Sequence, residues 1–386
     1  MKGQSDASSA TLYAVITPTL GGSVLFLSNG DVAGLLDMKT TLEALSLGYR
    51  DLAQGDAAYV PRVDIYAPNA NPDEYYRWGS MTGVSRSHGV VAVRIKSDVL
   101  SWSSGQTQEK YCVEPGQYSG IILVYSTENG EPLALMQDGY LQHMRVGGTA
   151  GMGTDYLARR DACRVGILGS GGMARTYLDA IHEVRELDSV SVYSPTAAHR
   201  EEFASEAEAR FAVNVRAVDT AEEAVRGMDI VATCTDSIVP TFEGEWLSQG
   251  THIVTLSSKE IGEDVLARAD VILESGYGTL LGESEPGMTH DVVGAIASYV
   301  IGQPDERARI PRSSRVQRSA FPVLFPYGNP EEAPGRTTPE QVTLFFNGGT
   351  QGLQFASVAG RVYHSAAEKG FGTSIPLEWF LQDIRD

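Results

Sequence analysis

Arg164-Val165-Gly166-Ile167-Leu168-Gly169-Ser170-Gly171-Gly172-Met173-Ala174 is the stretch whose reading decides the fold of this chain. Val165 to Leu168 is a short apolar run of the kind that forms a buried parallel strand. It breaks at Gly169-Ser170-Gly171 and enters a helical pattern from Met173 to Leu187, with Ala174, Tyr177, Leu178, Ile181 and Val184 on one face. Strand, glycine turn and helix together are the setting of a dinucleotide fingerprint. Gly169 permits the tight turn, and Gly171 lets backbone amides approach a pyrophosphate. Ala174 stands where close helix–strand packing needs a small residue, and the helix N-terminus favours phosphate charge. Gly169, Ser170, Gly171, Gly172, Met173 and Ala174 are therefore the expected cofactor contacts.

Downstream the texture alternates. Strands are expected at Val190–Tyr193, Asn214–Ala217, Ile230–Thr233, Ile253–Leu256 and Val271–Leu273, with helices at Ala197–Glu208, Ala221–Arg226 and Ile261–Ala267. Alternation of this kind implies right-handed crossovers and a doubly wound parallel sheet.

Upstream, a strand at Val24–Leu27 precedes helical segments near Val32–Leu36 and at Met38–Ala53. Short strands follow: the alternating Val60–Tyr66, then Val90–Ile95, Gly120–Tyr125 and Pro132–Met136, the last two joined by an Asn129-Gly130 turn. A helix over Gln142–Ala158 carries Gly147-Gly148-Thr149-Ala150-Gly151, glycines that weaken an isolated helix and so call for close packing. After an irregular Ile310–Arg336 connection come a strand at Val342–Phe346, a helix at Phe355–Lys369 and an apolar end, Pro376–Leu381, which should be docked. The first ten or so residues read as a disordered tail. The expected fold is α/β: a Rossmann-type domain over 144–316, inserted in an α+β substrate and dimerisation domain made of 1–143 and 317–386.

At 386 residues the length suits two domains, and 42% hydrophobic with 20% charged content describes a globular protein with ample core. The net charge of -19 argues against nucleic acid or an anionic membrane as partner. Cys112, Cys163 and Cys234 fit neither a disulfide framework nor a zinc pattern, and no signal peptide or spanning run is present, so a cytoplasmic protein without a metal is expected.

The strand ending at Tyr193 is followed by Ser194-Pro195-Thr196, with Arg200 shortly after and no carboxylate at the position that reads the adenosine ribose. Hydroxyls and an arginine suit a 2′-phosphate, so NADP(H) is favoured over NAD(H), although Ser194 and Thr196 also suit a helix cap. Thr233 and Thr235 flank Cys234 in the loop expected near the nicotinamide. A small buried residue is the commoner role for such a cysteine than a nucleophile.

In this order over most of the chain, several stretches resemble the ornithine cyclodeaminase/mu-crystallin family. They include Pro61-Arg62, Gly130–Leu135, Met144-Arg145, Tyr156–Arg159, the fingerprint, Thr233–Ser237, Gly250–Ile253 and Gly335-Arg336 to Phe345. The resemblance implies a homodimer pairing through the outer domain and nicotinamide-dependent chemistry at a carbon–nitrogen bond of an amino or imino acid. It marks Arg62 and Arg145 as carboxylate-binding, which the guanidinium fork suits. The family's lysine falls at Arg94, which can bind a carboxylate but is a poor proton carrier; Lys96, on the same strand face, is either its substitute or solvent-facing. The family's aspartate after His252 is missing from Leu256-Ser257-Ser258-Lys259-Glu260, and a later one is replaced by Gln354. An imine reductase or amino-acid dehydrogenase is therefore expected ahead of ornithine cyclisation. The rivals are a non-catalytic NADP(H)-binding protein and an opine-type dehydrogenase with a pocket enlarged by Ile310–Arg336.

Overall fold

A computed structural model describes residues 22–102, 105–276 and 335–384, with the short pieces 288–289, 297–300, 303–310 and 319–320. The expected N-terminal tail, the boundary at 316/317 and most of the 310–336 connection lie outside the described residues.

Two sheets organise the chain. The second in sequence is eight-stranded and parallel, in the order Asn214–Ala217, Ser189–Tyr193, Arg164–Leu168, Ile230–Thr233, His252–Thr255, Thr343–Phe346, Val271–Glu274 and Ser319–Ala320. The fingerprint strand is central, with the chain running outward from it in both directions. That reversal opens a crevice at its C-terminal end, at Gly169, as a doubly wound sheet requires. Thr343–Phe346 inserts between two strands of this sheet, so the parallel sheet takes a strand from beyond residue 317, where the sequence placed only outer-domain structure. Val342, Leu344 and Phe346 explain the placement: their apolar run is buried on both faces.

The other sheet is eleven-stranded and mixed. Its centre is an antiparallel series: Val63–Pro68, Glu74–Ser85, Val90–Ser101, Gly120–Ser126 and Pro132–Gln137. Ser23–Leu27 joins parallel to the last of these, and Thr373–Pro376 closes the edge against it. The alternating Val60–Tyr66 run is in fact broken at Pro61-Arg62, which separates Ala57–Tyr59 from Val63–Pro68. Glu74–Ser85 went unread because its aromatic, glycine and polar residues mask the alternation.

Helices Asn29–Leu35, Met38–Gln54 and Gln351–Lys369 cover one face of this sheet, sealing a core that includes Leu27, Leu45, Ala92, Ile122, Phe355 and Val358. Ser28 and Asp31 form a capping box that starts the first helix, and Asp37 caps the second. The glycine-rich helix, Gly139–Leu157, lies between the two sheets. A side chain at Gly147 would strike the Thr176 backbone, and one at Gly151 would meet Ala180, so those glycines allow close approach to the fingerprint helix Gly172–Val184. The apolar chain end divides: Thr373–Pro376 returns to the first sheet, whereas Trp379 and Leu381 beyond it are 75% and 58% exposed.

The first turn of the Gln351–Lys369 helix rests directly on strand Glu74–Ser85. Cβ atoms at Gly352 and Gly83 would overlap the backbones of Thr82 and Gly352, which no side-chain rotation relieves. Gly352→Ala is expected to destabilise the protein by about 3 kcal/mol, read as a lowered denaturation midpoint; an unchanged midpoint would contradict this packing.

Candidate active site

Between the two sheets lies a cavity of about 340 Å³. Met173 at the start of the fingerprint helix, Thr235, Leu256 and Asn347 line it from the nucleotide-binding side, while Arg62, Arg77, Arg94, Lys96 and Lys110 line it from the other sheet. Gln142, Arg145 and Val146 come from the glycine-rich helix between them.

The strand Val90–Ser101 sets the chemistry. Its even-numbered positions are buried; Val90 and Ala92 enter the apolar core, whereas Arg94, Lys96 and Asp98 carry charge at the same parity. Charges at core-facing positions must be paired or serve a ligand. In the register, Arg77 lies opposite Asp98, and Asp64, Gly79 and Lys96 form a row across three strands. Arg77 forks onto Asp98 at 2.8 and 2.7 Å, and Arg62 forks onto Asp64 at 2.9 and 2.7 Å. Burial works against an ionised Asp64, yet Arg62, Lys96 and Arg77 hold it down to about 2. Lys96 Nζ stands 3.8 Å from Asp64 and 3.7 Å from Asp98 without a hydrogen-bond partner. Burial, together with Arg62 and Arg77, pushes its amine well below the ordinary lysine value.

Arg94 is almost fully buried; its Nε donates to Asp138 at 2.6 Å and its Nη2 to Tyr118 Oη at 2.8 Å. Its charge is thus matched within the protein. Arg145 differs. Among the described residues its donors meet only amide oxygens, Gln354 Oε1 at 2.7 Å and Gln142 Oε1 at 2.8 and 3.3 Å, and its guanidinium lies over the Phe355 ring at 4.7 Å. Burial, then Arg94 and Arg62, bring it down to about 9. Gln354, read from sequence as replacing a carboxylate near the nicotinamide, is instead buried behind Arg145 and held by Tyr49 and Thr350.

The fingerprint side fits a dinucleotide. Gly169 has φ +105°, and a Cβ there would overlap the Cys234 carbonyl. Gly171 has open space where its Cβ would lie, as backbone approach to a phosphate needs. Gly172 leaves room for the His143 ring, and Ala174 is fully buried under the helix. Ser170 Oγ donates to Ser194 Oγ at 2.9 Å, and Arg200 Nη1 donates to the Ser194 carbonyl at 3.0 Å while Nη2 pairs with Asp219. Thr196 stands at the N-cap of Ala197–Phe211 without a side-chain cap bond.

The loop residues divide. Thr235 lines the cavity, whereas Thr233 is buried and donates to Thr255 Oγ1 at 2.8 Å. Cys234 is buried, and burial with Glu260 nearby pushes its thiol well above the ordinary value, which disqualifies it as a nucleophile. The carboxylate of Glu260 turns inward, accepting from Thr235 N and Oγ1 and from Ser257 N. Burial raises it to about 7. Ser257, Ser258 and Lys259 form the cavity wall instead. Sequence reasoning missed Arg77, Gln108, Lys110 and Lys259; Arg77 lies in the strand whose alternation is masked, and its place opposite Asp98 is set by the register. Among the described residues no group of three or more His, Cys, Asp or Glu could hold a metal ion, and no helix is long and apolar enough to cross a membrane.

A doubly wound sheet with its glycine turn at the reversal, facing a cation-lined cavity, defines a Rossmann-type nucleotide-binding protein with a small polar site. The chain belongs to the ornithine cyclodeaminase/mu-crystallin family, whose model matches residues 97–309. It is 28% identical to a Δ1-pyrroline-2-carboxylate reductase of Bacillus cereus over 67% of this chain and 74% of that protein. It is also 28% identical to an alanine dehydrogenase of Archaeoglobus fulgidus over 91% of this chain and 98% of that one. The solved Δ1-pyrroline-2-carboxylate reductase of Thermococcus litoralis, in complex with NADH and L-proline, is 25% identical with a TM-score of 0.70, over 91% of this chain and 100% of that one.

Gly169→Ala tests the crevice. Positive φ and the Cys234 carbonyl together should cost about 1–3 kcal/mol of stability and weaken nucleotide binding at least about tenfold, measured by thermal denaturation and by titration with NADH and NADPH. Wild-type affinity for both would place the nucleotide elsewhere.

Proposed function

We propose that this chain is an NAD(P)-dependent oxidoreductase that reduces the C=N bond of a small imino acid, or oxidises the corresponding amino acid. The observation that carries the reading is Arg145: a buried guanidinium whose hydrogen-bond partners among the described residues are amides only, in the same cavity as the start of the fingerprint helix. A carboxylate supplies the missing charge through two parallel hydrogen bonds and so fixes the substrate.

A bound nicotinamide supplies or accepts the hydride. Arg145 orients the acid group, with Gln142 and Gln354 fixing the guanidinium. Arg94, spent on Asp138, shapes the cavity and adds positive potential without moving a proton. Met81, Val146, Met173 and Leu256 give the wall its apolar part. Reduction adds hydride to the imine carbon and a proton to the nitrogen, giving the amine. Lys96 Nζ, lowered and without a hydrogen-bond partner, is the group we assign to donate that proton. Arg62 contributes by holding Asp64 rather than by gripping substrate itself.

We further propose NADP(H) as the preferred cofactor, supported by Ser194, Thr196 and Arg200 and by the lack of a carboxylate at the end of strand Ser189–Tyr193. Two copies are proposed to pair through the outer domain, where Phe26, Trp379 and Leu381 are exposed together with Ile121. The free cysteines suit a cytoplasmic protein.

Purified protein offered NADPH or NADH with cyclic and open-chain imino acids should consume the reduced nicotinamide, faster with NADPH. Arg145→Ala should raise KM about 100-fold. Because Lys96 must carry its proton to donate it, reduction should be present below its titration and decline as pH rises through it. Lys96→Met should lower kcat about 10²–10⁴-fold and remove that decline. Absence of turnover with every imine would remove the enzyme assignment.

A further inference from the structure

The cavity carries more positive charge than one carboxylate on Arg145 can use. Arg62, Arg77 and Arg94 are matched by Asp64, Asp98 and Asp138, and Lys96 shares the first two of those acids. Lys110 and Lys259 also line the cavity, and neither makes an ion pair within the described residues. Lys259 Nζ donates to Gln108 Oε1 at 3.3 Å, a neutral acceptor.

The unmatched charges form two groups. The cations acting most on Arg145 are Arg94 and Arg62; those acting most on Lys259 are Lys110, Arg77 and Arg62. Only Arg62 belongs to both. The second group is assembled by an arm of the outer domain. Gln108 N donates to the Asp236 carbonyl at 3.0 Å and Ile238 N to the Gln106 carbonyl at 2.8 Å, so residues 106–108 lie against the loop after strand Ile230–Thr233. This contact brings Gln108 and Lys110 to the wall that holds Lys259. Asp236, on the same loop, is the acid with Asp98 that acts on Lys110 and does not pair with it. Holding like charges together costs Coulomb energy, screened at the exposed Lys110 and partly offset by Glu260 at Lys259, that an anion between them reverses further.

We infer that the substrate is an imino or amino dicarboxylate, with one acid group on Arg145 and the second on Lys259 and Lys110. This rests on the oxidoreductase reading above and narrows it. Burial, with Lys110, Arg77 and Arg62, draws Lys259 down to about 7, as expected of an ammonium awaiting a counter-ion. The dinucleotide's phosphates do not compete for this pair, because their place is at Gly169–Gly172.

The test has two arms. In the first, imines formed in ammonia from oxaloacetate or 2-oxoglutarate are compared with those from pyruvate or 2-oxobutyrate, following NADPH and NADH consumption. The dicarboxylates should be preferred about 100-fold in kcat/KM, through KM. Lys259→Met and Lys110→Met should each lower that preference about tenfold, and Lys259→Arg should retain most of it. Equal or better use of the monocarboxylates, or a preference that survives both methionine substitutions, overturns the inference and leaves the oxidoreductase reading standing. In the second arm, calorimetry measures succinate against butyrate binding to protein saturated with NADP+ or NAD+. Tighter succinate binding that Lys259→Met abolishes supports the two-acid site even if no imine is reduced, an outcome that removes the oxidoreductase reading alone. Equal binding of the two acids removes the two-acid site. Thermal denaturation of each variant separates lost binding from lost folding.

Discussion

A guanidinium taken out of water has to be compensated, and at Arg145 the described residues offer its donors only amide oxygens. Burying an ion costs several kcal/mol even after relaxation, so the surrounding structure is best understood as what keeps this charge in place and open. Gln142 holds it from one turn earlier on its own helix, Gln354 from the Gln351–Lys369 helix, and Phe355 lies beneath it. The glycines that weaken the Gly139–Leu157 helix allow it to lie against both the fingerprint helix and the outer domain's core, with Gly148 close to Leu45 and Gly151 close to Ala180. One element therefore carries Arg145 and sets its position relative to the crevice at Gly169.

The paired charges beside Arg145 have a different role. Asp64, Arg77, Lys96 and Asp98 lie on adjacent strands at core-facing positions, with Gly79 leaving room for the Asp64 carboxylate and the Lys96 stem. Apolar residues of similar volume would hold such a sheet at least as well. What the ions add is a fixed field and, in Lys96, an amine whose proton is loosely held. The sheet that builds the outer domain thus also builds the polar wall of the site.

The crevice was legible in the letters because its signal is local: an apolar strand, glycines at fixed offsets and an amphipathic helix fall within a few dozen residues. Arg145 and Lys96 were legible by resemblance and by strand parity. The charge matching was not, since whether Arg62 and Arg94 are free or engaged depends on Asp64 and Asp138, and Asp138 meets Arg94 from 44 positions away. Lys259 lies in a stretch that reads as a deletion of a familiar acid, and Lys110 sits on a three-residue strand, Glu109–Tyr111, too short for periodicity to register. Thr343–Phe346 misled for a related reason: a fully apolar run reports burial on both faces but not which sheet receives it.

The most direct measurement is a crystal structure of the protein with NADPH and a non-reacting carboxylate analogue of the substrate. The account predicts the pyrophosphate over the amides from Gly169 to Gly172 and an acid group forked by Arg145, its oxygens at hydrogen-bond distance of about 3 Å. An analogue bound away from Arg145, or a nucleotide outside the crevice at Gly169, would contradict it.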